Sequence, residues 1–250
     1  MATGWQLYRL SPARWTLLVF AWWVLVAVLN RVPYVGPLAA TLLLPAFMMS
    51  FMAMCEEVRH GRPLRPALLL AGFQTRPGPL IALGGLYLAS IVAVLALSSL
   101  ADGGLLLNWV MWAQAPPDEA IRDGTVSKSL LLASVLGTPV FAAFWFAPIL
   151  AAWEGMGAGK SLFYSFFGCL RNWRAFLVYG LAVTFAAVML SLLVVIGAVA
   201  SAGNPAAARG LLLAATLMMM PTLFASFYVA YRDIFPEAAD SVVEPPLVEP

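Results

Sequence analysis

The sequence predicts an all-α fold, a polytopic transmembrane helix bundle with six spans. First, 62% of the 250 residues are hydrophobic and 10% are charged, whereas a soluble domain carries about 25% charged residues because its surface faces water. Second, the apolar residues are gathered into six long runs, and a span needs about 20 such residues to cross the hydrocarbon core. Lipid is therefore the expected solvent for most of the surface.

The six runs are joined by short connections, which leave no room for a soluble catalytic domain. In chain order, we expect spans at about 15–29, 35–54, 80–100, 130–153, 175–200 and 210–231. The first run lacks a small-x-small cleavage pattern and is expected to remain as a span. Residues 1–235 are thus predicted to form a single transmembrane domain. The acidic, proline-rich segment 236–250 has too few apolar residues to pack, which predicts a disordered tail.

Prolines interrupt three of the predicted spans. Pro45 lies in the second, Pro139 and Pro148 in the fourth, and Pro221 in the sixth. A proline inside a helix frees a backbone carbonyl, and in a membrane that carbonyl needs a hydroxyl, a water molecule or a neighbouring helix. We therefore expect all four prolines in packed or kinked regions and not against lipid.

The distribution of basic residues predicts the orientation. Of the 14 Lys and Arg residues, ten lie at one side of the predicted spans: Arg9, Arg14, Arg59, Arg62, Arg65, Arg76, Lys160, Arg171, Arg174 and Arg232. The other side has Arg31, Arg122, Lys128 and Arg209. Cytoplasmic loops carry the excess of bases, so we expect both termini in the cytoplasm. The net charge of +2 gives no indication of nucleic-acid binding.

Two connections on the basic side resemble each other and predict interfacial amphipathic helices. Residues 65–76 and 160–171 each hold an apolar stretch between basic ends, at an offset of 95 residues. Internal repeats are common in membrane transport folds, and these two units would share one orientation, as in a parallel repeat. In the second segment, Ser161, Ser165, Gly168 and Asn172 share one helix face, and the apolar side chains cover the rest.

Two interpretations of these segments remain open. They are either structural helices that close the cytoplasmic side or sites for anionic lipid headgroups, which basic pockets at this depth bind. In the second case another membrane protein is the alternative partner to the lipid. The candidate contact residues are Arg65, Arg76, Lys160, Arg171, Asn172, Trp173 and Arg174.

Two short motifs resemble cofactor or metal sites, but neither has the neighbouring residues that such a site needs. Gly155–Ser161 resembles a phosphate-binding loop, but Glu154 stands where the motif needs glycine and no strand precedes it. Glu56 and His60 are one helical turn apart, yet a metal site needs three or four converging ligands. We interpret them as a solvated helix end, and we interpret Cys55 and Cys169 as small apolar residues. No cofactor or metal is predicted.

The predicted spans contain no charged residue away from their ends, and this limits the function. Intramembrane charges usually mark ion pathways and proton relays, and catalysis needs positioned acids and bases. No catalytic residue is therefore predicted, although the question of an enzyme stays open. The first hypothesis is an accessory membrane protein that binds a lipid or a protein partner. The alternative is a transport component for an uncharged or weakly polar solute, surrounded by the proline-broken spans.

Several short motifs carry a resemblance to a known family. They are Trp5-x-Leu7-Tyr8 with Pro12 and Trp15, Pro33-x-Val35-Gly36 with Pro45, Gly72-Phe73, and Ser165-Phe166 with Arg171-Asn172-Trp173. With them the chain resembles an uncharacterised family of proteobacterial six-span inner-membrane proteins. More distantly, it is similar to the membrane domain fused to some glycerophosphodiester phosphodiesterases. The resemblance implies the fold and a place in the bacterial inner membrane, but no enzymatic activity.

Overall fold

The computed structural model describes residues 9–200 and 204–236, and every regular element within them is helical. The helices, in chain order, are α1 (Pro12–Leu29), α2 (Val35–Arg59), a 3-10 helix (Pro66–Leu70), α3 (Ala71–Gln74), α4 (Pro77–Asp102), α5 (Leu105–Trp112), α6 (Asp118–Arg122), α7 (Thr125–Trp145), α8 (Ala147–Ala152), α9 (Ala158–Arg171), α10 (Trp173–Ala200) and α11 (Pro205–Ile234). Six stretches are long and apolar enough to cross a membrane, and α7 and α8 together form one of them. The predicted all-α fold is confirmed. The predicted tail lies outside the described residues, apart from Pro236.

The ends of the spans follow local chain chemistry. Pro77 stands in the first turn of α4, where its missing N–H costs no helical hydrogen bond. At the other end, Gly103 adopts the left-handed conformation with φ +62°, a common way to end a helix. The helix α2 continues to Arg59, beyond the predicted end at residue 54. Its last turn thereby carries Cys55 and Glu56 into the packed end of the bundle.

Close backbone contact holds α4 against α2. A Cβ atom placed on Gly84 would lie 2.0 Å from the carbonyl oxygen of Leu42, so only glycine allows this approach. In the same way, a Cβ on Gly72 in α3 would lie 1.8 Å from the carbonyl oxygen of Ala46. Small residues of this kind let helix backbones pack closely in membranes. The first connection is thus held tightly against the second span.

The core lies toward one end of the bundle, where α2, α8 and α11 finish. Trp15, Met52, Phe146 and Tyr231 are fully buried there. The rings of Phe51 in α2 and Phe224 in α11 stack with their centroids 3.9 Å apart. By contrast, α10 packs mainly along α11 and exposes most of its apolar side chains. The fifth span is therefore the one most surrounded by lipid.

The prolines confirm the packing prediction at three positions and contradict it at the fourth. Pro45, Pro148 and Pro221 are buried, but Pro139 in α7 is exposed. The ring of Pro139 lies on the outer side of the bundle, and the helix α7 continues through it to Trp145.

The element order agrees with the predicted parallel repeat. A span, a short amphipathic segment and a second span occur as α2, the 3-10 helix with α3, and α4. The same order recurs as α7 with α8, α9, and α10. The two units differ in packing, because α4 lies against α2 whereas α10 lies against α11. This difference opens a gap beside α10.

Candidate functional site at the basic end

Side chains from three spans meet at one end of the bundle, which we call the basic end. Glu56 comes from the last turn of α2, Glu154 follows α8, and Tyr228 and Tyr231 lie near the end of α11. Tyr231 donates a hydrogen bond to Glu154 Oε1 at 2.9 Å, and Tyr228 donates one to Glu56 Oε2. Both tyrosines are buried. Hydrogen bonds to ionised carboxylates are among the stronger ones in proteins, so these two pairs tie α11 to α2 and to α8.

Basic side chains surround the outer rim of this cluster. Arg59 Nη1 lies 3.8 Å from Glu56 Oε1, and His60 Nδ1 lies 3.3 Å from the same oxygen. The predicted contact between Glu56 and His60, one turn apart, is therefore present. The prediction of a solvated helix end was wrong for Glu56, whose side chain is only 17% exposed. Its burial follows from α11, which packs across the end of α2 and brings Tyr228 over the carboxylate.

The helix α9 braces a break in the fourth span. The helix is interrupted at Phe146 between α7 and α8, two residues before Pro148. Ser165 Oγ accepts a hydrogen bond from Phe146 N at 2.9 Å and donates one to the carbonyl oxygen of Ala142 at 2.8 Å. The serine thus replaces the helical bond between these two backbone groups. This is the kind of hydroxyl partner that a proline-broken span needs in a membrane.

The two faces of α9 have different surroundings. Ser161, Ser165 and Cys169 are buried against α7 and α8. Cys169 Sγ lies 3.4 Å from the carbonyl oxygen of Ala142, and burial raises the pKa of this thiol to about 12 despite the opposing hydrogen bond from Ser165. The opposite face exposes four large side chains: Phe163, Tyr164, Phe167 and Leu170. The predicted small-residue face therefore points into the bundle and the aromatic face away from it.

Exposed bases stand at both ends of this aromatic face. Lys160 Nζ lies 5.8 Å from the ring centroid of Tyr164, and the Arg174 guanidinium lies 5.6 Å from the Trp173 ring. Arg171, in the last turn of α9, is exposed as well. Cations over aromatic rings are attracted by the ring quadrupole. Each base thus rests beside an apolar surface while its charge stays accessible.

The remaining predicted contact residues have other positions. Arg76 Nη1 donates to the carbonyl oxygen of Ala151 at 3.1 Å, so this side chain satisfies a carbonyl near the end of α8. Asn172 Nδ2 donates to the carbonyl oxygen of Gly168 at 2.9 Å and caps α9. Arg65 is exposed at the start of the 3-10 helix. The structure therefore gathers Lys160, Arg171, Trp173 and Arg174 around α9 and gives Arg76 and Asn172 structural contacts.

Sequence comparison gives one informative relative. The chain is 35% identical over 240 residues to a probable inner membrane protein of Burkholderia thailandensis, and the match covers 93% of this chain and 88% of that protein. The chain belongs to this inner-membrane protein family. No family model matches the sequence. No solved structure matches it either.

In this inner-membrane protein, the sequence reasoning missed the carboxylate–tyrosine pairs. From the sequence alone, Glu154 is interpreted as a mismatch in a phosphate-loop pattern, and no role is predicted for Tyr228 and Tyr231. One available signal was the spacing of the tyrosines, which are three residues apart on a helix and so share a face. A second signal was the position of Glu56 and Glu154 at the ends of two spans on the same side of the membrane.

Proposed function

We propose that the chain is a non-enzymatic accessory protein of the inner membrane that binds anionic lipid headgroups along α9. The binding surface, which we call the α9 surface, consists of Lys160, Arg171 and Arg174 together with the exposed aromatic face between them. The observation that carries the proposal is this combination on α9 and the first turn of α10. None of the three bases forms an ion pair with any residue in the described part of the chain.

The chemistry of the α9 surface suits the boundary between lipid and water. Aromatic side chains are enriched at this depth, and an amphipathic helix places its apolar face there with its bases toward the headgroups. Each basic residue near an anionic bilayer surface contributes about 1 kcal/mol of attraction. No acid within residues 9–200 and 204–236 pairs with these three charges, so headgroup phosphates are available partners for them.

The proposal includes an orientation with both termini in the cytoplasm. It is supported by the excess of bases at the end where α2, α8 and α11 finish, since bases are retained on the cytoplasmic side. The α9 surface would then face the cytoplasmic leaflet, where anionic lipids attract it. The distant similarity to membrane domains fused to glycerophosphodiester phosphodiesterases would, on this view, reflect a shared membrane layout.

A matched pair of triple variants tests the proposal. Lys160→Gln, Arg171→Gln and Arg174→Gln remove three charges from the α9 surface. Arg31→Gln, Arg122→Gln and Lys128→Gln remove three exposed charges from the opposite end. We expect the first set to lower retention of phosphatidylglycerol in native mass spectrometry by at least about tenfold, and the second to leave it within about twofold. Equal losses in both sets, or no loss in the first, would refute the α9 site.

The alternative of a transport component is less well supported by the described residues. A cleft of about 170 Å³ lies beside Pro45 and Pro148, where a solute path through the proline-broken spans would run. Apart from Tyr87, it is lined by apolar side chains, including Met48, Phe141 and Phe144. Solute sites carry a few placed polar groups that fix the orientation of the ligand. This cleft therefore gives no specific support to transport of a polar solute.

A further inference from the structure

A second cleft lies between α7, α10 and α11 near the basic end. Its volume is about 200 Å³, and its walls include Trp145, Phe176, Tyr179, Ser226, Asp233 and Ile234. It lies where α10 packs along α11 and makes little contact with α7. In the first unit α4 meets α2 closely at Gly84, whereas in the second α10 lies along α11 and meets α7 at the Trp145 ring.

The polar groups of this cleft lie at two levels. Asp233 is exposed at the outer level and forms no ion pair with any residue that the structure describes. Ser226 is seven residues earlier on α11, about 10 Å deeper along the helix. Its Oγ is 2.8 Å from Tyr179 Oη and donates to the carbonyl oxygen of Leu223 at 2.8 Å. The wall between these levels is mainly apolar. A ligand with a cationic end and a polar centre about 10 Å away would match both levels.

Apolar surface continues beyond the hydroxyl groups. Leu181 and Phe185 of α10 are 62% and 66% exposed, respectively. Acyl chains that extend from the cleft along α10 would cover such side chains. The sequence of features from the end of the bundle inward is therefore a carboxylate, a hydroxyl pair and an apolar helix surface. The amine, ester and acyl regions of a phospholipid follow one another in the same order.

We propose that this cleft binds one phospholipid whose headgroup carries a primary ammonium, of the phosphatidylethanolamine class. Asp233 accepts hydrogen bonds from the ammonium group, and the ester region lies beside the Tyr179–Ser226 pair without a hydrogen bond from it, because both hydroxyl protons are used within the protein. A choline headgroup has the same charge but no N–H donor, so a carboxylate that accepts hydrogen bonds discriminates between the two lipids. The site goes beyond the proposed α9 surface and shares no side chain with it.

The test is competition between phosphatidylethanolamine and phosphatidylcholine with identical acyl chains, measured on the full chain by native mass spectrometry. We expect the wild type to retain the ethanolamine lipid about threefold to fivefold over the choline lipid, which is within the range of one net hydrogen bond. Asp233→Asn is expected to bring this ratio close to one, because a neutral amide oxygen is a weaker acceptor than a carboxylate. Asp118→Asn, an exposed carboxylate in the connection before α7, is the matched control and should keep the wild-type ratio.

The outcomes separate the cleft from the α9 surface. The triple variant of Lys160, Arg171 and Arg174 should keep the ethanolamine preference while it loses phosphatidylglycerol. A wild-type ratio near one overturns the cleft proposal, as does an unchanged ratio in Asp233→Asn. If the triple variant instead retains phosphatidylglycerol while Asp233→Asn abolishes the ethanolamine preference, the cleft proposal stands and the α9 proposal fails.

Discussion

Replacement of Ser165 by alanine should lower the free energy of unfolding more than the loss of one small hydroxyl group suggests. The hydroxyl group is buried and forms both hydrogen bonds that close the break in the fourth span, at 2.9 Å to Phe146 N and 2.8 Å to the carbonyl oxygen of Ala142. Ser165→Ala leaves the Phe146 N–H without its partner and leaves the Ala142 carbonyl oxygen with only the weak bond from the Cys169 thiol. A buried unsatisfied group costs about 1–3 kcal/mol. Helix–helix hydrogen bonds in membranes average about 0.6 kcal/mol. We therefore expect a loss of about 1–3 kcal/mol in the free energy of unfolding.

Ser161 provides the control for this measurement. It is equally buried on the same face of α9, but its Oγ bonds to the carbonyl oxygen of Ala158 in the same helix. Ser161→Ala removes an equal volume without breaking a contact between helices. The free energy of unfolding should therefore fall by less than about 0.5 kcal/mol. Both variants are compared by unfolding the full chain with dodecyl sulfate in mixed micelles, followed by tryptophan fluorescence. Equal losses would refute the bracing role of Ser165.

Three further predictions rest on other contacts. Gly84→Ala should lower the free energy of unfolding by about 1–3 kcal/mol, because its Cβ would lie 2.0 Å from the Leu42 carbonyl oxygen. Gly85→Ala, at the next residue, should leave this free energy unchanged or raise it in the same unfolding assay. Tyr228→Phe and Tyr231→Phe should each lower the free energy of unfolding by about 1.5–3 kcal/mol, because each loses its hydrogen bond to a carboxylate. Tyr87→Phe is the control, and equal losses in all three variants would contradict the role of the carboxylate bonds. Because burial raises the pKa of Cys169 to about 12, its thiol should stay protonated at pH 8, and in Cys55→Ala protein iodoacetamide should label it only after unfolding. Rapid labelling of the folded protein at pH 8 would show that the thiol is accessible.

The parts of the fold that sequence reasoning predicted are those that the membrane itself imposes. Backbone groups in lipid must be paired within each helix, so every long apolar run becomes a span wherever it packs. The failures concern packing between helices. Pro139 was expected to be packed because proline costs a helical hydrogen bond, but α7 continues through it with the ring exposed, so the sequence alone does not show which prolines are packed. The hydroxyls of Ser90 and Ser134 bond to the carbonyl oxygens of Leu86 and Leu130 in their own helices and do not join two helices.

The candidate site could be predicted only where a single segment carries it. The faces of α9 follow from the spacing of Ser161 and Ser165 and of the bases at its ends, because helix geometry alone sets them. The carboxylate–tyrosine pairs join residues 172 and 77 positions apart in the chain. Neither periodicity nor composition relates such distant residues. The role of Arg76 could not be predicted for the same reason, because its partner, the carbonyl oxygen of Ala151 in α8, is 75 positions away in the chain.

The position of the polar contacts along the bundle bears on where this protein acts. Pairing between helices through Ser165, Tyr228 and Tyr231 is concentrated in the half that ends at Glu56 and Glu154. Each of these groups is expensive to remove from water unless its partner is in place, so they favour one arrangement of α2, α8, α9 and α11. The inner face of α9 takes part in that arrangement, and its outer face carries Lys160 and Arg171, which form no ion pair with any residue that the structure describes. A lipid on the α9 surface would therefore bind a helix that the buried serine has already positioned, with little loss of conformational freedom.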